Sequence, residues 1–307
     1  MKIALFIALV FLFLFTACKN QPAGESETPS ANPPVTLKLL WTTDSLLTTC
    51  ESVLYDPDKN VLYVSNIKGE ADAKDGNGTI AKVNLDGEII AADWVKGLDA
   101  PKGLGMSNGM LYVADIDQIV EIDTETGEIT KKYPVPGAQF LNDITVDTTG
   151  KIYASDSNTG RIAALFDGQV ATWLDNVNGP NGLLADRGQF YVLSWGDKTL
   201  SMLDPESGKL RVKAEGLEGP DGLEALSDSS FMVSSWYGTL SYVGPDWKPV
   251  LILDTRDQGF NAADIEYIPE KKMLLVPTFE KNSVMAYSVG ADLKSAATKK
   301  VRIRRRG

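Results

Sequence analysis

Short apolar runs bounded by Gly, Pro, Asp and Asn recur along this chain, and no stretch between residues 36 and 290 sustains a helical period. Four aromatic-rich runs stand out: Leu111-Tyr112-Val113, Ile152-Tyr153-Ala154, Phe190-Tyr191-Val192 and Phe231-Met232-Val233. Each follows, about ten residues on, a polar segment of related form: Ala100-Pro101-Lys102-Gly103-Leu104, Leu141-Asn142-Asp143-Ile144, Gly179-Pro180-Asn181-Gly182-Leu183 and Gly219-Pro220-Asp221-Gly222-Leu223. Two divergent copies complete the series, Glu51-Ser52-Val53 with Leu62-Tyr63-Val64, and Asp264-Ile265-Glu266 with Leu274-Leu275-Val276. The marker positions 51, 102, 142, 181, 221 and 264 therefore define six repeats spaced by 39 to 51 residues. A repeat of this length made of several short strands predicts a blade, and six predict an all-β, six-bladed β-propeller.

One blade cannot bury both its faces, so residues 36–290 are expected to close as a single unit. Residues 35–42 (Leu37, Leu39, Leu40 and Trp41 among them) read as a strand belonging to no complete repeat, while the last repeat, 261–289, shows only three strands. The N-terminal strand is expected to supply the fourth, which locks the ring and removes an open edge. Turns between outer strands are read at 124–127, 167–168, 205–208 and 244–246 from their Gly, Asp, Pro and Ser content. The first spacing is long because of a polar loop at 66–78; its Asp72, Asp75 and Asn77 lack the ligand spacing of a helix-flanked calcium loop.

Composition changes the picture at the two ends. Lys2 and the apolar run 3–15 read as an export signal (1–17) too short to span a bilayer, and Phe15-Thr16-Ala17-Cys18 resembles a bacterial lipobox with Cys18 as the acylated residue. Lys19, where an Asp would favour inner-membrane retention, points to the outer membrane of a bacterial envelope. Residues 18–35 read as a flexible tether, and 291–307, with its basic run Arg302-Ile303-Arg304-Arg305-Arg306, as a disordered tail. The net charge of −11 argues against a nucleic-acid partner. Between residues 19 and 290 lie 22 basic and 40 acidic residues, a body near −18 that suits cations better than anions. The other cysteine, Cys50, reads as a small buried apolar residue; the chain has no His to activate it.

Propeller strands run from the central channel outward, so the six markers should ring one mouth of that channel. Glu51, Asn142, Asn181 and Asp221 offer oxygen ligands only, a set that suits Ca²⁺ or another hard divalent cation; with no His and no cysteine cluster, zinc is disfavoured. Asn and Asp before Gly are also ordinary turn residues. Loops joining second and third strands open on the same mouth and bring Asp115, Asp156, Trp195, Trp236 and Phe279. Trp195 and Trp236 are expected either to wall a pocket or to pack between blades. Lys102 is expected to pair with a carboxylate such as Asp115 or to contact substrate.

At these positions the chain resembles the regucalcin/gluconolactonase family and its calcium-dependent six-bladed relatives, diisopropyl fluorophosphatase and paraoxonase. The resemblance covers about residues 37–289 and rests on Cys50-Glu51-Ser52, Leu141-Asn142-Asp143-Ile144, Pro180-Asn181-Gly182-Leu183 and Pro220-Asp221-Gly222-Leu223, four motifs in the family's order. It implies a calcium ion held by Glu51, Asn142, Asn181 and Asp221. Phe140 stands where sugar-acid lactonases of the family often carry Arg, and no His is available for a paraoxonase-like mechanism.

The expected function is hydrolysis of a lactone or related ester by a monomeric, lipid-anchored propeller, with Asp221 as general base or nucleophile and Lys102, Phe140, Trp195 and Trp236 contacting a lactone or sugar-acid-like ligand. The alternative from another class is a non-catalytic ligand-binding or scaffold lipoprotein, since propellers often serve as platforms. A strictosidine-synthase-like condensing enzyme is a more distant third.

Overall fold

The computed structural model describes residues 33–291. The signal segment, Cys18, nearly all of the tether and the tail from 292 lie outside the described residues. Within them, six four-stranded antiparallel sheets form the ring of blades read from the repeat. The innermost strands are Cys50–Asp56, Pro101–Ser107, Leu141–Val146, Pro180–Asp186, Pro220–Ser227 and Glu266–Ile268.

Closure follows the expected route. In the sixth sheet the order runs Glu266–Ile268, Met273–Pro277, Val284–Ala291 and then the N-terminal strand Val35–Thr42. The last two are antiparallel, with Val35 opposite Ala291 and Thr42 opposite Met285. The seam is stitched to blade one as well: the Trp41 indole N–H donates to Leu85 O at 2.9 Å, and the Thr49 N–H donates to Asn282 Oδ1 at 2.8 Å. Val35 and Ala291 lie at the end of the seam away from the Thr278–Ser283 loop.

Apolar residues alternate along each strand so that both faces of a blade are buried, and the core is a set of slabs between neighbouring blades. The slab across the seam joins Leu47, Cys50, Val53, Leu62 and Val64 of blade one to Ile268, Leu275, Val284 and Ala286 of blade six. Cys50 belongs to this slab; its thiol donates to Ser283 O at 3.2 Å, and burial pushes its pKa up to about 12. It is a core residue, as its isolation in a chain without His foretold.

The departures from pure sheet are two short 3₁₀ turns, Arg256–Gln258 and Pro269–Lys271, both beside blade six. That blade is the divergent one. Its innermost strand is only three residues long, and Asp264 precedes it, held by an isolated bridge to Ser52 of blade one. Among the described residues no helix is long and apolar enough to cross a membrane.

Candidate functional site

The marker residues are positioned by a repeated local distortion. In each of the first five innermost strands the antiparallel register shifts at the marker: between Cys50 and Val53, Pro101 and Leu104, Leu141 and Ile144, Pro180 and Leu183, and Pro220 and Leu223. Such a bulge frees residues from the ladder and re-aims their side chains, here toward the channel axis. The backbone N–H that the bulge leaves without a ladder partner is caught by a buried serine on the second strand: Ser52 N by Ser65 Oγ, Asp143 N by Ser155 Oγ and Gly222 N by Ser234 Oγ, at 2.7–2.9 Å. The glycine after the marker answers to crowding at the axis. A Cβ on Gly182 would lie 2.3 Å from Asp221 O, and one on Gly222 would lie 2.5 Å from Ile265 N. Asn181-Gly182 and Asp221-Gly222 are thus strand bulges where adjacent blades touch, and the turn composition of these pairs has no turn to serve.

Five of the six markers, Glu51, Lys102, Asn142, Asn181 and Asp221, line a single cavity of about 510 Å³ at one mouth of the channel. Phe140, Trp195 and Trp236 line it too, so the expected metal ligands and substrate-contacting residues share this cavity. Asp264 does not. Its carboxylate accepts from the Ser52 hydroxyl at 2.6 Å and faces a second cavity beyond the ring, with Asp143, Glu224 and Glu266. The ring of six markers is therefore a ring of five, because blade six lacks the bulge that would aim its acid at the mouth.

Hydrogen bonding orients the amides. Asn181 Nδ2 donates to Asp221 Oδ1 at 2.9 Å and to Pro220 O at 3.3 Å, which leaves Asn181 Oδ1 buried with no partner. Asn142 Nδ2 donates to Ser157 Oγ at 3.2 Å, and that hydroxyl donates onward to Pro180 O at 2.7 Å. Glu51 Oε2 is likewise buried and unpartnered. Orphan oxygens in a buried site are costly and call for a water, an ion or a ligand group to satisfy them.

The electrostatics agree. Burial, and then the charges of Asp221 and Asp264, hold Glu51 well above the usual carboxylate range, against the pull of Lys102. Burial, and then Asp264, push Asp221 up to about 8, opposed by the donation from Asn181. A divalent cation among these oxygens would reverse both shifts. The donors fit calcium in type: two carboxylates and two amide carbonyls, all oxygen. Among the described residues no group of three or more His, Cys, Asp or Glu could hold a metal, so a site built on Glu51 and Asp221 would need neutral oxygens such as the amides of Asn142 and Asn181.

Lys102 does not form the expected pair with a carboxylate, though it lines the cavity. Its ammonium, on a side chain only 2% exposed, donates to Ala71 O at 2.7 Å and Ala100 O at 3.1 Å and lies over the Phe140 ring at 4.3 Å. It pins the long blade-one loop, through Ala71, to the channel rim. Burial draws its pKa down, against the nearby Glu51 and Asp115. Asp115 accepts instead from the backbone N–H groups of Asp99 and Ala100, and Asp156 from those of Gln139 and Phe140. Both are loop anchors, and neither lines the mouth cavity.

The aromatic wall has a member that sequence reasoning missed. Tyr237 lies between Trp195 and Trp236, with ring centroids 5.8 Å from each, and Trp236 meets Phe279 edge-on at 5.7 Å. Its adjacency to Trp236 was the available signal. Ser157 and Asn158, also at the rim, follow Asp156 in the loop and carried no motif.

No family model matches the chain, and no curated protein sequence matches it at a significant level. Solved structures do. A candidate gluconolactonase superposes with a TM-score of 0.62 at 15% identity, covering 86% of this chain and 98% of that one. A streptogramin B lyase gives 0.61 at 11% identity, with 83% and 98% covered. Virginiamycin B lyase from Staphylococcus aureus gives 0.56 at 14% identity, with 83% and 99% covered. At these identities the likeness shows the fold.

Proposed function

We propose that this chain is a calcium-dependent hydrolase that opens a lactone or related ester at the mouth cavity. The observation that carries this reading is the pair of buried, unpartnered oxygens, Glu51 Oε2 and Asn181 Oδ1, in one cavity with Asn142 and Asp221. Glu51, Asn142, Asn181 and Asp221 would hold the ion. Bound calcium would supply positive charge against which an ester carbonyl is polarised.

The chain's own residues account for the rest. Asp221 is the group suited to take a proton from an attacking water and return it to the leaving oxygen: the water oxygen bonds to the acyl carbon, the acyl–oxygen bond breaks, and a hydroxy acid results. Trp195, Trp236 and Tyr237 wall one side of the cavity, where they would position the substrate. Lys102 holds the blade-one loop in place and keeps Phe140 over the cavity floor. Similarity to a candidate gluconolactonase supports an ester-type substrate, and similarity to a streptogramin B lyase and a virginiamycin B lyase keeps a lyase reaction in view.

The envelope anchor expected at Cys18 belongs to the same reading. The described chain enters the propeller through Val35, at the seam end away from the Phe279 loop. The trial is a lactone panel assayed with and without chelator on the wild type and Asp221→Ala. Turnover indifferent to both would end the hydrolase reading, whereas calcium-dependent stabilisation without turnover of any ester would favour a binding propeller.

A further inference from the structure

The hydrolase reading leaves open what kind of molecule carries the ester, and the walls of the cavity address this directly. Trp195 and Tyr237 are among the few large apolar side chains the propeller leaves exposed, at 36% and 50%. Both stand at the mouth, in contact with each other. Their placement is built into the repeat motif. Gly219 has a φ of +52°, and a Cβ there would lie 2.6 Å from the Tyr237 ring and 3.3 Å from the Trp195 ring. The first glycine of Gly219-Pro220-Asp221-Gly222 thus lets two rings lie against the backbone of the strand that presents Asp221. Exposed aromatic surface fixed beside a buried polar centre marks a place where a ligand is meant to cover it.

The charges of the cavity point the same way. Glu51 and Asp221 are acidic, and Lys102 is the one cation among the described residues that line it. That ammonium is committed to Ala71 O, Ala100 O and the face of Phe140. No positively charged side chain is left to pair with an anionic substituent, and the acidic body disfavours one. The Ser157 hydroxyl, which could read a sugar hydroxyl, is engaged by Asn142 and Pro180.

Resting on the hydrolase reading, we infer that the cavity selects a neutral lactone or ester carrying a flat apolar or aromatic substituent, with Trp195 and Tyr237 as the residues that set this specificity. The substituent stacks against the exposed surface of the two rings at the mouth while the ester group reaches toward Asp221 and Asn142.

The test compares γ-phenyl-γ-butyrolactone with D-glucono-1,5-lactone. Turnover is followed as acid release, and binding of the phenyl lactone or of gluconate is followed by tryptophan fluorescence. The expected kcat/KM ratio favours the phenyl lactone by roughly 30-fold, and Trp195→Ala lowers that ratio about tenfold while Trp195→Phe restores most of it, in line with a ring-stacking contact. Trp195 is partly exposed, so its replacement does not put folding at risk. Equal or better turnover of the sugar lactone, or a phenyl lactone that neither binds nor reacts, overturns the inference while leaving a hydrolase of another substrate standing. Quenching by the phenyl lactone that weakens in Trp195→Ala, with no lactone turned over, supports the ring site and sinks the hydrolase reading instead.

Discussion

Asn181 donates through Nδ2 to Asp221 Oδ1 at 2.9 Å, across the boundary between blades four and five, and in doing so turns its own carbonyl into the cavity with no partner. One bond therefore sets the position of two candidate ligands. Asn181→Ala is expected to lower calcium affinity by about tenfold or more, because it deletes one oxygen and releases another. Isothermal titration of the chelator-stripped protein measures it. Affinity equal to wild type would show that the amide is only a structural donor.

Glu51 offers a complementary prediction. In the metal-free protein it is a buried acid beside Asp221 and Asp264, so Glu51→Gln should raise the chelated melting temperature by about 2–4 °C, equivalent to about 1 kcal/mol. The same substitution should weaken calcium binding. A variant that is both less stable without calcium and unchanged in affinity would contradict the ligand role.

The metal-free protein should also lose stability as pH rises. Asp221 and Glu266 are both held at about 8 in the folded chain, chiefly by burial, against an ordinary carboxylate value near 4 when unfolded. The folded state keeps these protons longer than the unfolded state does. Their contribution is full below the unfolded value and is lost as pH climbs through about 8. Thermal melts in chelator should fall by about 5 °C or more from pH 5 to pH 8, and saturating calcium should flatten the slope. A chelated protein that grows more stable over this range would refute the assignment.

Ring closure gives a prediction independent of the site. Trp41 packs on the blade-one core from the N-terminal strand and bonds Leu85 O. Trp41→Ala should cost about 3 kcal/mol or more, read from urea unfolding, since it removes a large packed ring and an interblade hydrogen bond at the only seam.

Much of this arrangement was legible in the chain, for reasons that differ between residues. The six-fold spacing, the missing fourth strand and its N-terminal replacement were visible because strand period and turn chemistry are local. The convergence of Glu51, Asn142, Asn181 and Asp221 followed from the repeat, since equivalent positions in a closed ring must face one axis. Asp264 broke that logic. Its blade begins with an isolated bridge in place of a bulge, and nothing in Asp264-Ile265-Glu266 announces that difference. The expected carboxylate pair of Lys102 failed for another reason: its hydrogen-bond acceptors are the carbonyls of Ala71 and Ala100, and backbone acceptors leave no trace in side-chain identity. The buried serines that catch the bulged N–H groups were likewise silent, being ordinary residues on second strands.

The claim at the centre of this account is that the mouth cavity holds one calcium ion through Glu51, Asn142, Asn181 and Asp221. Calorimetric titration of calcium into the chelator-stripped chain, beside Asp221→Asn, tests it most directly. One site per chain, abolished or weakened at least about 30-fold by the substitution, is the predicted result. Absence of binding heat in the wild type, or a site that Asp221→Asn leaves intact, would contradict it.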